Sequence, residues 1–203
     1  MSVSVIEGDQ ETVLDAQRIQ AAGGQVVQIN TGVGCHLDAE MVARGPEGLD
    51  PSGGSVVVIE NVGNLVCPAL FDLGEAARVV LASVTEGADK PMKYPNMFRQ
   101  AGLVLLNKTD LLPYVDFDVR QYCSELRRVA PDAMLLQLSA TTGDGMQAWY
   151  DWLRQRVLPR PRSAHQYFAY RSNRPSHGGR RTTFHGSLTH EPGQTGASCG
   201  QDP

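Results

Sequence analysis

An α/β fold, a doubly wound and mostly parallel sheet, is predicted for the first 156 residues of this 203-residue chain by two observations. Short runs of Val, Ile and Leu recur with a regular beat and without polar alternation, the pattern of strands buried on both faces. Helix-like stretches separate several of these runs, which is how parallel strands must be joined. A hydrophobic fraction of 41% with 20% charged residues suits one domain of this size.

The first strand is expected at Val3–Ile6, followed by a helix over Gln10–Ala22 with Val13, Leu14, Ala16 and Ile19 on one stripe. Further strands are expected at Gln25–Ile29, Val56–Ile59, Val79–Val84, Leu103–Leu106 and Met134–Leu138. Helices are expected over Asp118–Val129, where Cys123 reads as core among Val119, Tyr122 and Leu126, and over Gly145–Val157, which carries Met146, Trp149, Trp152 and Leu153. After Arg156 the pattern stops. Five prolines, six glycines and scattered polar residues offer no apolar face, so 157–203 is expected to be a disordered tail, with His165, His177, His185 and His190 solvated.

Charge divides along the same line. The tail holds six arginines against Glu191 and Asp202, while residues 1–156 are acidic, which argues against a nucleic-acid-binding surface. No apolar run approaches the roughly 20 residues of a membrane span, and no signal-peptide pattern follows Met1, so a cytoplasmic location is expected. Cys35, Cys67, Cys123 and Cys199 form no CxxC pair, which argues against a disulfide framework.

In doubly wound sheets ligands bind at the carboxyl ends of strands, and the residues found there carry chemistry. Asn107-Lys108-Thr109-Asp110 follows the Leu103–Leu106 run as an NKxD box. The Asp110 carboxylate can accept from both the ring N1–H and the exocyclic amine of guanine, donors that adenine does not offer on that edge. Asn107 would fix the loop and Lys108 would lay its stem along the base. A second loop, Ser139-Ala140-Thr141, would bring the backbone N–H of Ala140 to the guanine carbonyl. Glu60 ends the Val56–Ile59 strand in the place of a Walker B carboxylate, Gly63 would admit a terminal phosphate, and Asp9 would hold a magnesium-bound or attacking water. Both acids could equally cap helices. Gly34-Cys35-His36-Leu37-Asp38 is read as opening a helix whose N-terminus would lower the Cys35 pKa, with Cys67-Pro68 in the loop after Glu60–Gly63. Cys and His are borderline-soft ligands suited to nickel or zinc. One chain offers three such ligands where such an ion takes four, so an isologous dimer is a natural solution.

Over residues 3–156 the sequence resembles the hydrogenase nickel-incorporation GTPase family, HypB. The matching stretches are Val5–Gln10, Asn30–Gly32 with Gly34–Ala39, Ile59–Pro68, Ser83–Gly87 through Asp89–Pro91, Leu105–Lys108 and Ser139–Thr141. The resemblance implies a P-loop NTPase-like fold and a metal site from Cys35, His36 and Cys67 at a homodimer interface. It also implies GTP with Mg2+ as cofactor, and nickel delivery to the hydrogenase large subunit with a nickel-insertion accessory protein.

One departure is clear. The family carries GxxxxGK[ST] before the strand matching Val3–Ile6, whereas this sequence contains no Gly-Lys pair, its lysines being Lys90, Lys93 and Lys108. The phosphate cradle and its strand are therefore missing, which predicts unpaired strand edges, little or no GTP hydrolysis and an N-terminally truncated chain. The competing expectation is a catalytically inactive metal-binding or dimerising fragment of the same family.

Overall fold

The computed structural model describes residues 2–157 except 11, 46–48, 50, 52 and 53. The expected tail, apart from Val157, lies outside the described residues. All six expected strands form: β1 (Val3–Asp9), β2 (Gln25–Asn30), β3 (Val56–Glu60), β4 (Val79–Ser83), β5 (Leu103–Asn107) and β6 (Met134–Gln137). Helices are α1 (Leu14–Ala21), α2 (Ala39–Arg44), α3 (Lys90–Lys93), α4 (Pro95–Arg99), α5 (Val119–Val129) and α6 (Met146–Val157), with 3-10 turns at Cys67–Leu70 and Thr109–Tyr114.

α1 starts four residues later than its stripe predicts. The Asp9 carboxylate accepts from the Gln10 N–H at 2.6 Å and from the Thr12 N–H and hydroxyl at 3.2 and 2.5 Å, which holds the chain in a turn. The stripe is also narrower than expected, with Ala16 buried and Val13 and Leu14 exposed.

The strands make two parallel three-stranded sheets, in the orders β2-β1-β3 and β4-β5-β6. Among the described residues β3 pairs only with β1 and β4 only with β5, so each offers one open edge. Val57 and Leu81, in the interiors of these two strands, are 42% and 62% exposed.

β5, central in the second sheet, has both faces covered. Leu103 and Leu105 pack with Leu136, Leu138 and the α6 residue Trp152. Val104 and Leu106 pack with Phe98, Tyr122, Cys123 and Leu126 from α4 and α5. Each fully buried aliphatic or aromatic side chain here contributes about 1.5–3 kcal/mol. The first sheet has a smaller core of Ile6, Leu37 and Val42. Gly8 lets Leu37 lie on β1, since a Cβ there would meet the Leu37 side chain at 2.6 Å.

Candidate nucleotide and metal site

Parallel pairing brings the carboxyl ends of β1, β2 and β3 together, and two loops from those ends meet at a metal-ligating cluster. Cys35 lies in the loop from β2 to α2, and Cys67 opens the 3-10 turn after β3. Their Sγ atoms are 2.8 Å apart, the Cys35 Sγ is 3.7 Å from the His36 Nδ1, and the three ligand atoms lie within 4.8 Å of one another. Both cysteines are free thiols and half-buried. The His36 ring stacks on Phe71, with centroids 4.0 Å apart and planes at 20°. With metal–sulfur bonds of about 2.3 Å in a tetrahedral arrangement, two thiolates sit roughly 3.7 Å apart, so an ion entering here widens the pair.

The expected helix start at Cys35 is corrected. α2 begins only at Ala39, where Asp38 accepts from the Met41 N–H at 2.8 Å, so Cys35 sits in the preceding loop and gains nothing from a helix N-terminus. Its thiol is instead pushed up from its ordinary pKa, first by the hydrogen bond with Cys67 and then by burial.

Two asparagines that sequence reasoning left without a role tie these loops. The Asn61 Oδ1 accepts from the Leu37 N–H at 2.8 Å and the Val62 N–H at 2.9 Å. The Asn64 Oδ1 accepts from the Val66 N–H at 2.8 Å, and its Nδ2 donates to the Cys35 carbonyl at 3.5 Å. Gly63 lies between them and, with Cys35, Asn64, Lys90 and Tyr94, lines a cleft of about 410 Å³. A Cβ on Gly63 would meet nothing within 4 Å, so its backbone faces open space.

Glu7 and Glu60 are register partners on β1 and β3, and Asp9 follows on the same strand face as Glu7. Glu7 is buried with its Oε2 unpartnered. Burial first, then Asp9 and Glu60, raise its pKa above the ordinary carboxylate value. Glu60 is raised as well, by burial and then Asp15. Close carboxylates that repel one another, one with an unfilled oxygen, are a donor set that fits a hard divalent cation.

The expected base site lies at the ends of β5 and β6. Lys108 has φ 62°, which makes it the one non-glycine residue in the left-handed region among the described residues. The turn is held by the Asn107 Oδ1, which accepts from the Lys108 N–H at 2.7 Å and the Ala140 N–H at 3.1 Å. The Ala140 donor expected to face guanine is thus engaged by Asn107, and one amide oxygen ties the two loops. Asp110 has a buried Oδ1 with no hydrogen-bond partner, an acceptor left open for a donor-bearing ligand. Ser139 is fully buried and its Oγ accepts from the Thr142 N–H at 3.1 Å, shaping the second loop.

Parallel strands that end in an NKxD turn, in an acidic cluster and at two thiols and an imidazole that could hold a metal ion are the arrangement of a nucleotide-binding domain. Residues 1–137 match the family model for the CobW/HypB/UreG nucleotide-binding domain. The hydrogenase maturation factor HypB of Azotobacter chroococcum mcd 1 is 59% identical over 155 residues, covering 76% of this chain and 51% of that protein. HypB of Escherichia coli (strain K12) is 55% identical over 150 residues, covering 74% of this chain and 52% of that protein. The crystal structure of HypB from Helicobacter pylori in complex with nickel superposes with a TM-score of 0.73 at 34% identity, covering 82% of this chain and 80% of that one. This chain belongs to the HypB family. It spans about half the length of the curated relatives that it matches at 55–59% identity. Among the described residues no helix is long and apolar enough to cross a membrane.

Proposed function

We propose that this chain is the nickel-carrying, guanine-nucleotide-binding domain of a hydrogenase maturation factor. In this reading Cys35, His36 and Cys67 hold the metal ion as cargo, Lys108 and Asp110 bind the base of GTP, and Asn107, Ser139 and Ala140 shape the two loops around it. The observation that carries it is the convergence of two thiols and an imidazole within 4.8 Å, where the loop from β2 to α2 meets the loop that follows Glu60. The relative solved with nickel supports nickel over zinc as the cargo.

Glu60, Asp9 and Gly63 face the phosphate end. Glu60 would hold a nucleotide-bound Mg2+, which supplies neutralisation of phosphate charge when bound, while the Asp9 carboxylate holds the turn after β1. Cys67 lies seven positions after Glu60, so a nucleotide felt at one end of this loop displaces a sulfur ligand at the other. Three ligands leave a four-coordinate ion one short, and a second copy of the chain supplies the remainder. Val33, Val66 and Leu70, exposed around the cysteines, provide apolar surface for that contact. The acceptors of the ion are the hydrogenase large subunit and its nickel-insertion accessory protein. GTP hydrolysis is coupled in this reading to transfer of the ion.

Calorimetric Ni2+ titrations with GDP or with a non-hydrolysable GTP analogue test this coupling. The reading expects different affinities in the two states, and identical affinities at saturating nucleotide contradict it.

A further inference from the structure

Asn61 stands at the junction of the two halves of the site. It follows Glu60 at the end of β3, and its amide oxygen serves two backbone donors, Leu37 at 2.8 Å and Val62 at 2.9 Å. Leu37 follows His36 directly in the chain and is completely buried, wedged against Gly8 of β1. The Cys35–His36 segment is therefore anchored at its downstream end by one apolar plug and one hydrogen bond to the loop that carries Gly63 and Cys67. Both of these bonds use the side chain as an acceptor. Any displacement of the backbone at 61–63 moves that acceptor and pulls on Leu37, the residue beside the imidazole ligand. Asn64 adds a weaker tie further along, from its Nδ2 to the Cys35 carbonyl.

We infer that Asn61 is a positioning residue that transmits the nucleotide-dependent movement of the β3 loop to the metal clamp, by holding the Leu37 N–H next to His36. Its observed partners are the Leu37 and Val62 N–H groups, and the inference rests on the nickel reading above. The role needs an acceptor oxygen at the Oδ1 position and not an amide. Asn61→Asp keeps that acceptor, and Asn61→Ala removes it.

The test uses the full chain with Ni2+ followed through the sulfur-to-nickel charge-transfer band, with and without the GTP analogue, beside thermal melts. Asn61→Ala is expected to weaken Ni2+ binding by roughly 10–100-fold, the range for supporting groups behind metal ligands. It should also abolish the difference between nucleotide states, while Asn61→Asp stays within about threefold of the unmodified chain by the same measure. A purely structural role would lower the melting temperature without selectively erasing the nucleotide dependence. Unchanged affinity and unchanged coupling in Asn61→Ala overturn the inference, as does an Asn61→Asp variant as defective as the alanine. If the alanine variant does not fold, hydrogen exchange on the unmodified chain decides. A protected Leu37 amide whose protection shifts on adding Ni2+ supports the role, and an amide exchanging at the rate of open loops refutes it. Cys67→Ala separates the two levels: equal Ni2+ binding by that variant and the unmodified chain sinks the nickel reading, and this inference with it. A loss with Cys67→Ala but none with Asn61→Ala sinks only the inference.

Discussion

Replacing Asp110 by alanine removes the acceptor on which the proposed guanine selectivity rests. The unpartnered Oδ1 of Asp110 is buried beside a turn held in the left-handed conformation at Lys108, so the carboxylate is placed before any base arrives. Two donors of guanine converge on it, and a hydrogen bond to a charged group is worth about 1.5–3 kcal/mol. Losing both costs about 3–6 kcal/mol, a fall of roughly 10²–10⁴ in affinity for GDP. ADP, which presents neither donor, should change little. NMR titrations with GDP, ADP and XDP reach the millimolar range needed where base contacts carry the binding. Asp110→Asn offers a donor where guanine also brings donors, and it should move the preference toward xanthine. The reasoning fails if the unmodified chain does not distinguish GDP from ADP, or if Asp110→Ala binds GDP with the affinity of the unmodified chain.

Three further outcomes follow from the geometry. Glu7 has a raised pKa in the folded state, so the fold binds its proton more tightly than the unfolded chain does. Its favourable contribution is present below the ordinary value of 4.5 and is lost as pH rises through the folded pKa. Glu7→Gln should therefore raise the melting temperature at pH 7 and give little gain at pH 4, and equal gains at both contradict the assignment. Gly145 has φ +73°, and a Cβ there would collide with the Gln137 carbonyl oxygen, so Gly145→Ala should cost at least about 1–3 kcal/mol in denaturant unfolding. Phe71→Ala removes the stack on His36, a loss of about 0.5–1.5 kcal/mol in ring placement. That should weaken Ni2+ binding severalfold and Phe71→Trp should restore it, whereas equal affinities for all three chains exclude a role for the stack.

The strands were the legible part of the fold. Runs such as Leu103–Leu106 need no tertiary information, because a strand buried on both faces must be apolar throughout. What fails is local. α1 was placed too early because the Asp9 side chain spends its oxygens on a turn. α3 and α4 are single turns opened by Pro91 and Pro95, and no periodicity shows in so few residues. Strand order is not legible in apolar runs: among the described residues it leaves edges at β2, β3, β4 and β6.

At the site, residue types pointed to the cluster that Cys35, His36 and Cys67 form but not to what supports it. Cys35, His36 and Cys67 announce themselves by chemistry, yet Cys35 was assigned to a helix end that begins only after Asp38. Asn61 and Asn64 lie within the stretch that resembled the family, but nothing in their spacing says that one amide oxygen reaches Leu37, 24 residues earlier in the chain. Phe71 reaches His36 only through the turn at Cys67–Leu70. Glu7 was readable, two residues ahead of Asp9 on the same strand face.

Whether Cys35, His36 and Cys67 form one transition-metal clamp is decided by a Ni2+ titration read by absorption spectroscopy. The unmodified chain should develop a saturable sulfur-to-nickel charge-transfer band that Cys35→Ala and Cys67→Ala each abolish and His36→Ala weakens. A chain that shows no such band, or one that survives both cysteine substitutions, contradicts it.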